Sequence, residues 1–359
     1  MSMSMTTVRA RFAEARATGK RARDAAESIG VSEGEAIAAH TAEHDGPLKA
    51  AALRSAWLEI LQALGECGPV LALTRNETTV HEKTGVYENL SATGPVGLAL
   101  GKDIDLRLFF MHWHAGFAVS EAASQSGTPP ALSLQFFDAH GRAVHKVFCR
   151  DATKRTAFEA VMKQFSDSAQ SPAFTPSAQP ADAKDDSAID ASSMLDAWGA
   201  MQDTHEFFGL LRKFGAERQQ SFRLAEGRFT RRAPAAVARQ LLQEAALDGA
   251  PIMVFVGSVG CIQIHSGPVV RVEPLELRGV QWLNVLDAGF NLHLREDAIA
   301  NAWVVEKPTS DGVVTSVELF DATGELMAMF FGERKPGQPE REDWRAIVSK
   351  SAPVADAVV

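Results

Sequence analysis

Apolar residues recur along this chain with two periods, and the two alternate. AALRSAWLEILQALG (51–65) and AAVARQLLQEAAL (235–247) carry Leu and Ala at helical spacing, so each predicts an amphipathic helix. LSLQFFDAHGR (132–142) and TSVELFDATGE (315–325) alternate apolar with polar residues up to an Asp-Ala-x-Gly turn, the pattern of half-buried strands joined by tight hairpins. Helices leading into antiparallel strands predict an α+β class.

The pattern is written twice. VLALTRNETTVHEKTG from Val70 overlays IMVFVGSVGCIQIHSG from Ile252 without a gap, an offset of 182 that sets Gly85 on Gly267. IDLRLFFMHWHAGFAV from Ile104 overlays FNLHLREDAIANAWVV from Phe290 at an offset of 186, and LQFFDAHGRAVHKVF from Leu134 overlays VELFDATGELMAMFF from Val317 at 183. Three blocks in one order at nearly constant offset predict a tandem duplication, each half a large antiparallel sheet flanked by helices. Residues 166–193, rich in Ser, Ala, Pro and Asp, read as a flexible linker, dividing the chain into a first repeat (1–165) and a second (194–359).

The stretch MQDTHEFFGLLRKF (201–214) opens the second repeat with an amphipathic helix whose histidine lies off the apolar face. Asp203 and Glu206 have capping-box spacing, which places His205 in the first turn. Phe207, Leu210, Leu211 and Phe214 cluster on the opposite side, Phe208 lies at the edge, and Gly209 and Arg212 flank the histidine. The glycine leaves room for a flat object, and the positive helix end favours a neutral imidazole with a lone pair free for a metal. A lone histidine near a helix start is ordinarily a surface residue, so geometry alone leaves both readings open.

Length and composition narrow the field. A chain of 359 residues with 46% apolar content fills two sizeable cores, and a formal charge of −9 argues against general nucleic-acid affinity. The N-terminal stretch has no apolar run of the signal-peptide kind, and no run of about 18 apolar residues occurs, so a soluble cytoplasmic protein is expected. Cys67, Cys149 and Cys261 are scattered, without the C-x-x-C pair of a disulfide framework, a structural zinc site or a covalent haem attachment, and read as core residues.

The blocks TRNETTVHEKTGVYENL, IDLRLFF, DTHEFFGLLR, AERQQSFR, VGSVGCIQIHSGPV, AWVVEKPTSDGVVTSVELFD and FFGERKPGQPE resemble the bacterial haemin-degrading factor family, the HemS/HmuS-type haem-uptake proteins. The likeness runs over nearly the whole chain and implies a cytoplasmic protein of two similar halves, with a cleft between or beside them for one haem b (iron protoporphyrin IX). By this resemblance His205 in DTHEFF matches the axial iron ligand and Arg107 in IDLRLFF the distal arginine, while Arg218 in AERQQSFR and Lys307 in EKPT match the propionate-pairing cations. The chemistry agrees: haem iron accepts imidazole, propionates favour fixed cations, and a guanidinium never competes for iron. Arg107 aligns with His293, so the repeats differ where a single site requires it. Some relatives carry Gln and Tyr where Met329 and Phe331 stand, and Tyr87 is the only tyrosine.

Other candidates read more plainly. HWH (112–114) is a strand-edge or turn element sooner than a metal pair, and His81 a structural histidine sooner than a second haem site. RARDAAESIGVSEGEAIAA has helix-turn-helix form, but its second helix is acidic and suits no base edge. Arg228, Arg231 and Arg232 make a local basic patch, solvated or docking an acidic partner. Two functions stay open: a carrier that receives imported haem and delivers it for iron release, with a haem oxygenase or the importer's cytoplasmic components as partners, and an enzyme that opens the porphyrin oxidatively with external electrons.

Overall fold

The computed structural model describes residues 3–123, 125, 127–177, 185–277, 279–334 and 337–353. Two compact units emerge. The first comprises Met1–Arg75, His81–Ala178 and Gly257–Gln263, the second Asn76–Val80, Gln179–Val256 and Ile264–Val359. Each unit thus takes in one hairpin tip from the other repeat, and the two tips are the segments that the 182-residue offset superimposes.

In the first unit α1 (Met5–Ala17), α2 (Ala22–Ser28) and α3 (Glu33–Ala38) precede β1 (Leu48–Ala52) and α4 (Trp57–Ala63). There follow β2 (Val70–Arg75), β3 (Thr79–Gly85), β4 (Leu90–Thr93), β5 (Val96–Leu100), β6 (Asp105–Phe109), β7 (Ala115–Glu121), β8 (Ala131–Phe137), β9 (Ala143–Phe148) and α5 (Arg155–Phe165). Antiparallel neighbours run β1-β7-β8-β9-β2, and β4-β5-β6 form a second run.

The second unit repeats the scheme. Its helices α6 (Ala191–Gly199), α7 (Glu206–Phe214) and α8 (Arg218–Leu224) precede β10 (Thr230–Ala233) and α9 (Val237–Asp248). Then come β11 (Ile252–Gly257), β12 (Cys261–Gly267), β13 (Val272–Leu277), β14 (Val280–Leu286), β15 (Phe290–Arg295), β16 (Asn301–Thr309), β17 (Gly312–Phe320), β18 (Leu326–Gly332) and α10 (Glu342–Ser351). The runs are β10-β16-β17-β18-β11 and β13-β14-β15. The α+β duplication expected from the sequence is present, and no described helix is long and apolar enough to cross a membrane.

Strands β8 and β17 are buried on both faces, not half-buried as their alternation suggested. In the second unit Trp303, Val305 and Phe320 pack with α6–α8, while Val304, Val317, Leu319 and Phe330 pack with α9 and α10. The first unit divides likewise, with Phe117 and Phe137 toward α1–α3, and Leu134 and Phe136 toward α4 and α5. Ser316 and Glu318 look like solvent-facing strand positions in the sequence, yet helices cover them. Two further expectations change. The helix predicted over 51–65 starts only at Trp57, because the residues before it pair with β7. The ends of the 166–193 stretch are tied down, Phe174 stacking edge-on against Phe137 and Asp186 accepting from Gln220 and Arg223, while its centre, 178–184, lies outside the described residues.

The two Asp-Ala-x-Gly turns share one geometry. Asp138 Oδ1 accepts from the backbone N–H of His140 and Arg142, and Asp321 Oδ1 from those of Thr323 and Glu325. Gly141 and Gly324 then adopt φ of 75° and 89°, which favours glycine. A Cβ on Gly141 would lie 2.0 Å from Ser32 Oγ, the N-cap of α3, whereas one on Gly324 would meet nothing closer than 3.5 Å. In urea unfolding Gly324→Ala should therefore cost about 1–3 kcal/mol of backbone strain, and Gly141→Ala at least about 1 kcal/mol more by displacing the cap. Equal losses would refute this account of the turn.

Candidate functional site

Helix α7 begins at Glu206, so His205 is its N-cap residue and not part of its first turn, and Asp203 does not cap it. Asp203 instead folds a turn over the histidine: its Oδ1 accepts from the His205 backbone N–H at 2.8 Å and from the ring Nδ1 at 2.6 Å. These two bonds hold the Asp203 carboxyl below its usual range. With a carboxylate at Nδ1 that nitrogen carries the proton, and the Nε2 lone pair is left outward on a side chain 87% exposed. Phe207, Leu210 and Leu211 are buried as the helical spacing predicts; Phe208 beside the histidine is 70% exposed, and a Cβ on Gly209 would meet nothing within 4 Å. Imidazole, phenyl ring and bare glycine make an open face suited to a flat apolar ligand. Covering Phe208 would gain roughly 1.5–3 kcal/mol.

Behind this face lies a buried charge cluster, all of it in the second unit. Glu318 on β17 is 0% exposed and accepts from Arg218 Nε at 2.6 Å and Nη2 at 2.9 Å, from Lys307 Nζ at 3.0 Å and from Ser316 Oγ at 3.0 Å. Burial alone would push the Glu318 carboxyl up; the two cations overcome it and hold the group at about 2. Burial draws the Lys307 ammonium down, and Glu318 opposes it. Phe207 joins the cluster to α7, its ring 4.8 Å from Lys307 Nζ and 5.3 Å from the Arg218 guanidinium carbon. Met329, across the ladder from Glu318, receives Arg218 Nη2 on its sulfur at 3.3 Å, so this strand position does meet the cation although it is not Gln. Phe331 packs edge-on against Phe255.

The structure thus brings Arg218 and Lys307 together on a carboxylate that sequence reasoning missed, and ties them through Phe207 to the helix capped by His205. Arg107 belongs to the first unit, on β6, where it pairs with Asp105 and is partly exposed. Its repeat counterpart His293 holds the matching place on β15 and contacts Asn284 Oδ1 at 2.7 Å.

Several candidates are occupied elsewhere. His81 is fully buried in β3. His112 and His114 are exposed in a turn flanking buried Trp113, and His114 Nε2 contacts the Ala173 carbonyl at 2.8 Å. The basic patch is consumed locally: Arg228 meets Asp196, Arg232 meets Glu226 and stacks on Trp303, and Arg231 donates to the Ala352 carbonyl. The helix-turn-helix residues form α2 and α3, which pack on the sheet. Tyr87 is buried with its hydroxyl 2.5 Å from His145 Nε2, and His145, pushed down to about 3 by burial, is a neutral core residue. Cys67 and Cys261 are buried and Cys149 is half-buried, all with free thiols.

The family model for the haemin-degrading HemS.ChuX domain matches residues 30–165 and again 215–351. The chain is 39% identical to the haemin transport protein HmuS of Yersinia pestis over 94% of each chain. The crystal structure of holo-PhuS, a haem-binding protein from Pseudomonas aeruginosa, superposes with a TM-score of 0.89 at 43% identity, covering 96% of this chain and 98% of that one. ChuS, described as an Escherichia coli haem oxygenase, superposes with a TM-score of 0.83 at 34% identity, covering 96% and 99%.

Because Glu318 is held below the 4.5 it has in an unfolded chain, its contribution to stability is present above pH 4.5 and is lost as pH falls toward 2. Subtracting the urea-unfolding profile of Glu318→Gln from that of the parent should leave a pH-dependent component on the order of 3 kcal/mol in this window. Parallel profiles would show that the carboxylate is not the charged centre of the cluster.

Proposed function

The chain belongs to the haemin-degrading HemS.ChuX domain family, and we propose from that premise that it binds one haem b and carries it in the cytoplasm, delivering it for iron release. The observation that carries this reading is the His205 ring, exposed and fixed through Nδ1 by Asp203 so that Nε2 points outward, beside Phe208 and Gly209. Haem iron takes a neutral imidazole nitrogen, and an outer carboxylate on the other ring nitrogen raises ligand basicity. In this reading His205 is the axial ligand and Arg107 holds a water or hydroxide on the distal side without competing for iron. Arg218 and Lys307 supply the positive field for the propionates. Glu318 offsets one of their two charges, so the cluster presents a net single positive charge to a dianion. The relatives' names support both halves of the reading, since HmuS is named for haemin transport and holo-PhuS for haem binding.

A second reading, oxidative opening of the porphyrin, is favoured by the likeness to ChuS. Nothing in the sequence marks a flavin or nicotinamide site, so the electrons would come from an external donor, and a receiving haem oxygenase or components of a haem importer would be the carrier's partners. Haem incubated with the protein, a physiological reductant and catalase decides between them: intact haem that moves to an acceptor supports carriage, and released tetrapyrrole with free iron supports the enzyme.

His205→Ala should abolish the parent Soret spectrum of added haemin and weaken affinity by at least the ~10–100-fold expected of Asp203→Ala. An unchanged spectrum and affinity in His205→Ala would remove the ligand assignment.

A further inference from the structure

The haem reading leaves Glu318 without a role. A fully buried carboxylate bonded to Arg218, Lys307 and Ser316 already occupies the cations to which propionates are assigned. Arg218 is committed through Nε and Nη2, Nη1 makes no hydrogen bond among the described residues, and its side chain is 27% exposed while that of Lys307 is 4% exposed. The second cation therefore stays behind the carboxylate. Its contribution at the surface is to the net charge of the cluster, and one edge of the Arg218 fork is what a ligand carboxylate can reach.

We propose that Glu318 is a specificity-determining residue: an internal carboxylate that shares the cations of this site with an incoming porphyrin carboxylate, setting how strongly carboxylated porphyrins are preferred and how readily they leave. This rests on the haem reading and deepens it. With Glu318 ionised the cluster carries +1; without it the cluster carries +2, and without Lys307 it carries none. A guanidinium released from an internal carboxylate engages a second one more tightly, because charge-assisted pairs in a desolvated setting are the strong ones. The internal carboxylate therefore weakens retention, the behaviour a carrier needs.

The experiment measures dissociation constants and off-rates of the full chain for ferric protoporphyrin IX and for its dimethyl ester, which keeps the iron and ring and lacks the charges. His205→Ala is run first. If the parent gives no Soret shift with haemin, the haem reading itself has failed, and if His205→Ala leaves the parent band unchanged the ligand assignment has failed, each independently of Glu318. With that reading intact, Glu318→Gln should raise the diacid-to-diester preference about tenfold, mainly through slower release of the diacid. Lys307→Met, which keeps the Arg218–Glu318 pair, should lower the preference by a similar factor. The double variant Lys307→Met/Glu318→Gln restores +1 and should return to the parent preference. Should Glu318→Gln fail to fold, the Lys307→Met and double variants carry the comparison. A preference unchanged in folded Glu318→Gln, or one that stays low in the double variant, overturns the proposal, the latter by showing direct contact between Lys307 and the ligand.

Discussion

The arrangement depends on one buried carboxylate. Taking the Glu318 charge out of water costs several kcal/mol, and an uncompensated charge at that depth would disrupt the second unit. Arg218 and Lys307 offset the cost together, and in doing so they fix three elements: α8 through the bidentate fork, β16 through the ammonium, and β17 through the carboxylate itself. Phe207 lies against both cations and draws in α7, the helix that His205 caps. The exposed face that makes the candidate site open is thus set in place by a contact that is itself closed to solvent.

The first unit shows what happens to the same frame when the chemistry is turned around. The capping box of α3, Ser32 with Glu35, corresponds to that of α8, Glu217 with Gln220, each pair 185 residues from its counterpart. One residue into the helix, Glu33 stands where Arg218 stands in the second repeat; on the strands Gln135 stands for Glu318 and Lys146 for Met329. An ion pair between helix and sheet survives, Lys146 Nζ to Glu33 Oε1 at 2.5 Å, with its polarity reversed. Glu33 Oε2 and Gln135 Oε1 are buried acceptors that no described hydrogen bond reaches. At the position of the Arg218 fork the first unit thus offers a carboxylate. On α2 the positions matching Phe208 and Gly209 are Arg23 and Asp24, so the flat apolar face is also missing. Duplication supplied two frames, and divergence left one of them chemically fit for an anionic ring.

Much of this was legible in the chain. The duplication follows from three registers of strand and turn, and the Asp138 and Asp321 turns match because backbone geometry there demands an acceptor and a glycine at fixed spacing. The apolar stripe of α7, and with it the exposure of Phe208 and Gly209, follows from helical periodicity. What stayed hidden was set by tertiary cover. Alternation in TSVELF says that Ser316 and Glu318 share a face, not that three helices close over it. The capping-box spacing of Asp203 and Glu206 was present without the geometry, since with that carboxylate bonded to its own turn and to the His205 ring the helix starts two residues later than the motif implies. Arg228, Arg231 and Arg232 read as a patch because their partners, Asp196, Ala352 and Glu226, are chosen by the fold.

The division of labour inside the second unit bears on why such a site suits carriage. The proposed iron ligand sits at a helix terminus, held by a single carboxylate two residues away, with its nitrogen toward water. The proposed anchor for the ligand's charges is rooted in the centre of the sheet, where β16, β17 and α8 meet. An acceptor can compete for the iron at the exposed imidazole while the carboxylates are still held, so transfer need not pass through a wholly free haem. Oxidative chemistry asks for the opposite, a reacting face closed to bulk water so that reactive intermediates stay in place. On the second unit alone, an imidazole this open and a charge cluster already sharing its cations with an internal carboxylate favour letting go over holding for reaction.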